Sequence, residues 1–176
     1  MLKDAGARLV DVTLPGPPLI YRQVTALISG SERASAHERD FIAHGDKMGR
    51  ELRDSLMAGL AARSVDYLAA QRRRRELAAA IDAVVTGVDA VLLPGALHTA
   101  PPASDADKVR AFMSDAMTTA FNISGHPALV LRTGFDHDGL PTNAQIVGRY
   151  FDEATVLRVA HAYERAREWH KRRPTL

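Results

Sequence analysis

The chain has 176 residues, with 23 basic and 21 acidic side chains and a formal net charge of +2. This length supports one domain with a sizeable core. The nearly balanced charge argues against a nucleic-acid binder, because such proteins concentrate positive charge on one face. The absence of cysteine excludes disulfides, thiolate metal ligands and a cysteine nucleophile.

The sequence also carries no sign of a membrane protein. Its first residues lack the apolar segment of a signal peptide, and no run approaches the roughly 18 apolar residues that cross a bilayer. These features predict a cytoplasmic protein that does not bind a membrane.

The first half of the chain is predicted to be one strand followed by helices. Residues 7–14 alternate between apolar and polar side chains and are rich in β-branching, which predicts a strand. Residues 19–45 are predicted to be helical, with Gly30 as a candidate interruption. Ser64 is predicted to cap a later helix. Between these two lies an apolar stripe typical of a helix that packs one face on a core: Met48, Leu52, Leu56 and Leu60.

The second half alternates strands with helices. We expect three strands of one sheet at residues 89–94, 128–132 and 144–148, and helices at residues 104–121 and 153–170. The first of these strands is continuously apolar, which predicts burial on both faces. Strands that alternate with helices indicate the α/β class.

Four segments of this second half form a specific pattern. They are DAVLLP with the prolines that follow at residues 89–102, NISGHPA at 122–128, GLPTNAQIVG at 139–148, and FDEATVL at 151–157. In this order and spacing they resemble the segments of the amidase-signature family of hydrolases. The resemblance is strong over residues 89–170, whereas residues 1–88 resemble the more variable stretch before them.

The resemblance implies part of an α/β/α sandwich, with a mixed sheet flanked by helices. Residues 1–88 would form a variable helical segment with one leading strand, and residues 89–176 the core segment of the same continuous domain. It also implies hydrolysis of carboxylic amides by a serine nucleophile, which a lysine and a second serine activate. The sequence contains no Gly-Gly-Ser-Ser loop, and its four lysines do not match the family's catalytic lysine. We therefore predict no catalytic residue in this chain and no cofactor.

The resemblance thus implies the C-terminal portion of an amidase, which supplies fold and pocket wall but lacks the Ser-Ser-Lys residues. Half of a sandwich leaves a sheet edge and apolar faces uncovered. We therefore expect either an N-terminal amidase half or a second copy of the chain as partner, and a small amide as substrate of the completed protein. The chain alone is expected to be inactive. The alternative is a non-catalytic scaffold or binding module derived from an amidase.

Six residues are predicted to line the substrate pocket: His98, Thr99, Asn122, Gly125, Arg132 and Asn143. His98 and Thr99 follow the first buried strand, and open α/β sheets bind ligands beyond the carboxyl ends of their strands. For Asn122 and Gly125 the alternative is a turn that satisfies its own backbone. For Arg132 the choice lies between a bidentate contact to an anionic group and a position on the surface.

Three positions depart from the family's pattern. Gly95 stands where a threonine is common, Arg132 where a proline is usual, and Asn143 where a glycine is usual. All three lie in loops or strand ends that are expected near the pocket. Their effect is therefore predicted to fall on the substrate rather than on the fold.

Three further features are interpreted as non-catalytic. Residues 72–75 are four arginines that point about 100° apart on a helix, so they cannot form one basic patch, and at least one should pair with an acid or cover apolar surface. Residues 136–138, Asp-His-Asp, lie in a tight turn and do not converge on one ion, so we predict no metal site. Ser124 has no base that the sequence places beside it, so it is not predicted to be a nucleophile.

Overall fold

A computed structural model describes residues 2–173, apart from the side chain of His170, as three antiparallel strands with helices on both faces. The α/β class is therefore confirmed, although a mixed sheet was implied and these three strands are all antiparallel. The elements in chain order are α1 (Pro18–His44), a 3-10 turn (Gly45–Lys47), α2 (Arg50–Leu60), α3 (Ser64–Val85), β1 (Val91–Pro94), α4 (Ala106–Ser114), α5 (Thr119–Ser124), β2 (Ala128–Phe135), β3 (Pro141–Val147), α6 (Glu153–Arg167) and a second 3-10 turn (Trp169–Lys171).

The segment before α1 differs from its prediction. Residues 7–14 pair with no strand among the described residues, so the predicted leading strand is wrong. Leu9, Val10 and Val12 stay largely exposed, while Leu14 packs on the core. An alternating pattern selects which side chains face inward, but a strand also needs a neighbour to accept its backbone hydrogen bonds.

The helix predicted for residues 19–45 is confirmed as α1, and Gly30 does not interrupt it. Gly30 instead faces Gly59 of α2 where the two helices cross. A Cβ added at Gly59 would lie 2.1 Å from the Gly30 carbonyl oxygen and 2.8 Å from the Ala34 side chain. Only a residue without a side chain at position 59 therefore permits this close approach.

The stripe assigned to α2 is only partly buried. Leu56 is completely buried, whereas Leu52 and Leu60 are exposed and Met48 precedes the helix. The helix holds three of the four positions, and of these only Leu56 packs fully against the core.

The start of α3 also differs from its prediction. Ser64 is its first residue rather than its cap, because Arg63 occupies the N-cap position. The Arg63 guanidinium donates to both carboxylate oxygens of Asp66, at 2.7 and 2.9 Å.

The sheet has the order β1-β3-β2, so β3 is central. Val147 aligns with Val91 of β1 and with Ala128 of β2. All three predicted strands are confirmed. One face, which includes Val91 and Val147, packs under α1, α3 and α5, and the opposite face, with Leu131 and Ile146, packs on α6. Burial of β1 on both faces was wrong, because Leu92 is 51% exposed.

The single helix predicted for residues 104–121 is divided into α4 and α5. Between them the backbone N–H of Met117 donates to the Gly95 carbonyl at 3.0 Å, and Ala116 forms an isolated bridge with Ala96. These contacts with the loop after β1 replace the continuing helix. Asp105 caps α4 by accepting from the Lys108 N–H, as its place at the helix N-terminus suggests.

The last helix is confirmed but shorter than predicted. Asp152 caps α6 through the Thr155 N–H, and the helix ends at Arg167 because Glu168 adopts a left-handed conformation.

One core joins the two halves of the chain. The larger cluster combines buried side chains of α1 and α3 with those of β1, α5 and β3. No helix within residues 2–173 is both long enough and apolar enough to cross a membrane.

The two glycines at the α1–α2 crossing give opposite predictions for the same substitution. Gly59→Ala should lower the free energy of unfolding by about 1–3 kcal/mol, because its Cβ meets backbone and the helices must separate. Gly30→Ala should raise it by about 0.5–1 kcal/mol, since its Cβ would meet only the Gly59 Cα, at an ordinary contact distance of 4.0 Å, and alanine favours the helix. Urea unfolding of both variants measures the difference. Equal effects would show that the crossing is not tightly packed.

Candidate functional site

Four of the six predicted pocket residues lie at one end of the sheet. His98 and Thr99 follow β1, while Arg132 and Asn143 lie in β2 and β3 close to the turn that joins them. We call this the hairpin end. Asn122 and Gly125 belong instead to α5 and its C-cap. Gly125 lies near the opposite end, where the Gly148 N–H donates to the Pro127 carbonyl.

Thr99 is tied to the turn between β2 and β3. The Asp136 carboxylate accepts from the backbone N–H groups of Asp138 and Leu140, at 3.0 and 2.9 Å, and Gly139 takes a positive φ of 79°. The hydrogen bond from the Thr99 hydroxyl is the largest cause that lowers the pKa of Asp136 below its ordinary value. This contact fixes the loop after β1 against the hairpin.

Of the other predicted residues at the hairpin end, Arg132 binds the C-terminal turn and His98 is exposed. The Arg132 guanidinium donates to the carbonyl oxygens of Trp169 and Arg172, at 3.1 and 2.9 Å. Its donors therefore hold the C-terminal turn against β2. His98 is exposed, and its imidazole lies 3.6 Å from the Asp115 carboxylate.

Asn143 contacts Gly95, which was also predicted to depart from the family's pattern. A Cβ built on Gly95 would lie 2.3 Å from the side-chain oxygen of Asn143. That oxygen is buried and has no hydrogen-bond partner in the described residues. The amide nitrogen of Gln145 is also buried without a partner, and Gln145 is 2% exposed. Residues 143 and 145 share one face of β3, since side chains alternate along a strand.

A cavity of about 130 Å³ lies between the start of α1 and residues 116–120. Met117, one of its lining residues, is hydrogen-bonded to Gly95, so the cavity adjoins the hairpin end. None of the six predicted residues lines it.

Asn122 and Gly125 lie on α5 and at its C-terminal end. Asn122 is exposed on α5. Gly125 takes a φ of 81° as the C-cap of α5, and its N–H donates to the Phe121 carbonyl at 2.7 Å. A left-handed residue is the common way to end a helix, and glycine adopts it without strain.

A buried polar network at the end of α5 was missed from the sequence. The His126 ring lies 2.8 Å from the Ser124 hydroxyl through Nδ1 and 3.2 Å from the Asp82 carboxylate through Nε2. A carboxylate only accepts, so Nε2–H donates to Asp82, and in the neutral ring Nδ1 accepts from the Ser124 hydroxyl. The Ser-to-His spacing is visible in the sequence, but Asp82 lies 44 residues before His126, and local patterns cannot pair them.

Two further contacts complete this network. The Tyr150 ring stacks on His126 with centroids 3.9 Å apart, and its hydroxyl donates to the Ser124 carbonyl at 2.8 Å. Burial, followed by the negative charge of Asp82, raises the pKa of Tyr150. Arg74 donates to the Ile123 carbonyl at 2.9 Å. The predicted pairing of one arginine with an acid is instead made by Arg73, which lies 2.7 Å from the Glu76 carboxylate.

Serine, histidine and aspartate are also the residue types of a nucleophilic triad. Here Ser124 is only 8% exposed, which leaves little room for a substrate carbonyl. The backbone N–H of its neighbour Gly125 donates to a carbonyl at the end of α5, so it is not free to stabilise an oxyanion. The network therefore holds α3 against α5 and against the segment before α6.

Comparison with known proteins agrees with this architecture. A family model described as Amidase matches residues 1–157. The chain belongs to the amidase family. A glutamyl-tRNA(Gln) amidotransferase subunit from Chloroflexus aurantiacus is 36% identical over 202 residues, which cover 100% of this chain and 41% of that protein. The chain thus spans about 41% of the length of this curated relative.

Solved structures give the same result for the amidase fold. A crystal structure of an amidase superposes with a TM-score of 0.82 at 28% identity, covering 94% of this chain and 39% of that structure. The 6-aminohexanoate cyclic dimer hydrolase in complex with its substrate superposes with a TM-score of 0.79. Its 23% identity, over 99% of this chain and 40% of that structure, supports the fold alone.

Loss of the Thr99 hydroxyl should raise the pKa of Asp136 toward its ordinary value in a Thr99→Val variant. A carboxyl group whose folded pKa is lowered stabilises the fold above its unfolded pKa and loses that effect as the pH falls through the folded pKa. The two proteins should therefore differ in stability at neutral pH and converge in acid, below about pH 4. NMR titration of the Asp136 carboxyl carbon measures the shift. Thr86→Val, remote from Asp136, is the control, and an unmoved pKa in Thr99→Val would contradict the contact.

The Ser124–His126–Asp82 network predicts that His126→Phe lowers the stability of the fold. The variant keeps a ring against Tyr150 but leaves the buried Ser124 hydroxyl without its partner, which should cost about 1–3 kcal/mol. His98→Phe, on an exposed histidine, should stay within about 0.5 kcal/mol of the wild type. Chemical unfolding measures the stability of both variants. A His126→Phe variant as stable as the wild type would show that His126 does not stabilise the network.

Proposed function

We propose that this chain is the C-terminal portion of an amide hydrolase, which supplies fold and substrate-pocket wall without carrying the Ser-Ser-Lys residues. The proposal is supported by the match over residues 1–157 together with a sequence that has no Gly-Gly-Ser-Ser loop. A solved amidase and a relative named as part of an amidotransferase both support chemistry at a carboxylic amide.

The observation that carries the proposal is the arrangement of the sheet. Within the described residues, β1 and β2 each pair on one side only, through β3. Leu92 of β1 and Val130 of β2 are both half exposed. Unpaired strand edges and exposed apolar side chains are sites of association. They support a partner that adds to this sheet, either an N-terminal amidase half or a second copy of the chain.

The pocket wall is assigned to the hairpin end. The unpartnered side-chain oxygen of Asn143 lies there beside Gly95, and Thr99 contacts Asp136 of the adjoining turn. Of the predicted residues, Thr99 and Asn143 are therefore kept as wall residues. Arg132 and Gly125 are assigned structural roles, and His98 and Asn122 lie on the surface.

The purified chain alone should not hydrolyse simple aliphatic or aromatic amides. Enzymes lower the activation free energy by at least about 8 kcal/mol, and amide hydrolysis by a serine combines an activated nucleophile, a positioned base and an oxyanion hole to do so. Adding an N-terminal amidase half that carries the Gly-Gly-Ser-Ser loop should produce turnover, which release of ammonia from a primary amide measures.

The variant Ser124→Ala is the control for this assay. Turnover by the chain alone that disappears in Ser124→Ala would make Ser124 the nucleophile and overturn the proposal. No turnover with or without the added half would favour the alternative, a non-catalytic scaffold or binding module.

A further inference from the structure

Phe151 is a large aromatic side chain that lies outside the fold. It follows β3 and is 94% exposed. A hydrophobic residue at this position, directly before a helix cap, commonly packs on the fourth residue of the helix. In α6 that fourth residue is Val156, which is buried in the core, whereas Phe151 points into solvent. The ring therefore contributes little to the stability of the chain itself.

The backbone of Phe151 is strained. The Asp152 N–H donates to the Arg149 carbonyl at 3.1 Å and closes a turn whose third residue, Phe151, has a φ of 61°. Turns with a positive φ at this position usually carry glycine there, because a bulky side chain makes the conformation costly. The other non-glycine residue with a positive φ in the described part of the chain, Glu168, ends α6. Phe151 ends no helix, and strain of this kind is concentrated at functional positions.

The neighbours of Phe151 hold this conformation. The Arg149 guanidinium donates twice to the Val88 carbonyl, at 3.1 and 3.0 Å. The Tyr150 hydroxyl donates to the Ser124 carbonyl at 2.8 Å. The ring of Phe151 is thus presented from a turn that is already fixed, which lowers the entropy that binding would cost.

One face of the sheet is uncovered beside this turn. Leu92 of β1 pairs with Ile146 of β3, so both side chains point to the face on which α6 packs. Ile146 is buried there, whereas Leu92 is 51% exposed. The Arg149 guanidinium lies 3.7 Å from the carboxylate of Asp89, just before β1. The turn that carries Phe151 is therefore tied to the strand that α6 leaves uncovered.

The chain has more surface than a monomeric protein of its mass. It exposes 11764 Å², whereas a monomer of 19.1 kDa exposes about 8,400 Å². The excess of about 3,400 Å² is several times the roughly 800 Å² that each partner contributes to an interface of standard size. The chain spans 41% of an amidotransferase subunit and 39% of a solved amidase. The part of an amidase that the chain does not match is therefore large enough to cover this surface.

We propose that Phe151 is the anchor by which this chain binds the part of an amidase fold that it does not match, and that this partner receives the ring in an apolar pocket. The inference rests on the proposed function and adds a contact beyond the sheet edges. Aromatic side chains that fill such pockets supply much of the binding energy of an interface. Burial of the ring in the partner offsets the cost of the left-handed backbone, which the exposed ring does not offset in the chain alone.

Two substitutions separate the ring from its backbone. Phe151→Gly removes both the ring and the strain, so the urea midpoint of the isolated chain should rise. Phe151→Ala removes the ring but keeps the left-handed conformation, so its midpoint should stay near that of the wild type. The control is Ile42→Ala on α1, which shortens another exposed apolar side chain and should leave the midpoint unchanged. A fall in the midpoint of either Phe151 variant would show that the ring stabilises the chain itself and would overturn the proposal.

The binding test co-expresses the full chain with the part of the Chloroflexus aurantiacus subunit that this chain does not match. The wild-type chain should co-purify with that part, and dilution of the purified complex measures its dissociation constant. Both Phe151 variants should weaken the complex at least about tenfold, and Ile42→Ala less than about twofold. No complex with the wild type, unchanged affinity in Phe151→Ala, or weakening in Phe151→Gly alone would each overturn the proposal.

Two further measurements distinguish this proposal from the proposed function. A wild-type chain that forms a stable dimer in light scattering, which Phe151→Ala dissociates, would identify a second copy as the partner and overturn the proposal. Release of ammonia from a primary amide by the co-expressed pair, with equal affinity in the wild type and Phe151→Ala, would leave the proposed function standing and remove Phe151 as the anchor. Binding that depends on Phe151 without turnover would support the anchor and count against the proposed function alone.

Discussion

The central position of β3 is the constraint on which the rest of the fold depends. This strand pairs with β1 on one side and β2 on the other, and its adjacent residues Ile146 and Val147 are buried on opposite faces. Complete burial of such side chains contributes about 1.5–3 kcal/mol each. Val147 anchors α1, α3 and α5, while Ile146 anchors α6. A shift of β3 by one residue would exchange these faces and detach both layers.

The elements around β3 could be predicted where local pattern and tertiary contact agree. The three strands and α1 follow from side-chain periodicity. The errors share one cause. The leading strand lacks a paired neighbour, and the helix over 104–121 breaks where residues 116 and 117 contact residues 95 and 96. Both outcomes are decided by backbone hydrogen bonds between distant segments, which no local window contains.

The same distinction separates the predicted site from the observed one. Rules about strand ends placed Thr99 and Asn143 near one end of the sheet, where the structure also has them, because these rules concern topology. They could not show that the Arg132 donors are taken by Trp169 and Arg172. Nor could they find the Ser124–His126–Asp82 network, whose partners are far apart in sequence. Polar side chains are placed by what lies opposite them, so residue type alone does not assign their role.

Glycine makes room for a neighbouring group at two places in this fold. At the α1–α2 crossing, Gly59 admits the backbone of the facing helix, and at the hairpin end Gly95 admits the side chain of Asn143. In both places a residue without a side chain leaves space that a neighbouring group fills, so packing density is preserved. The difference lies in what enters. At Gly59 the incoming group is backbone that remains within its own helix, so the effect is structural. At Gly95 it is a side-chain carboxamide whose buried oxygen has no partner among the described residues, so the space holds a polar group instead of backbone.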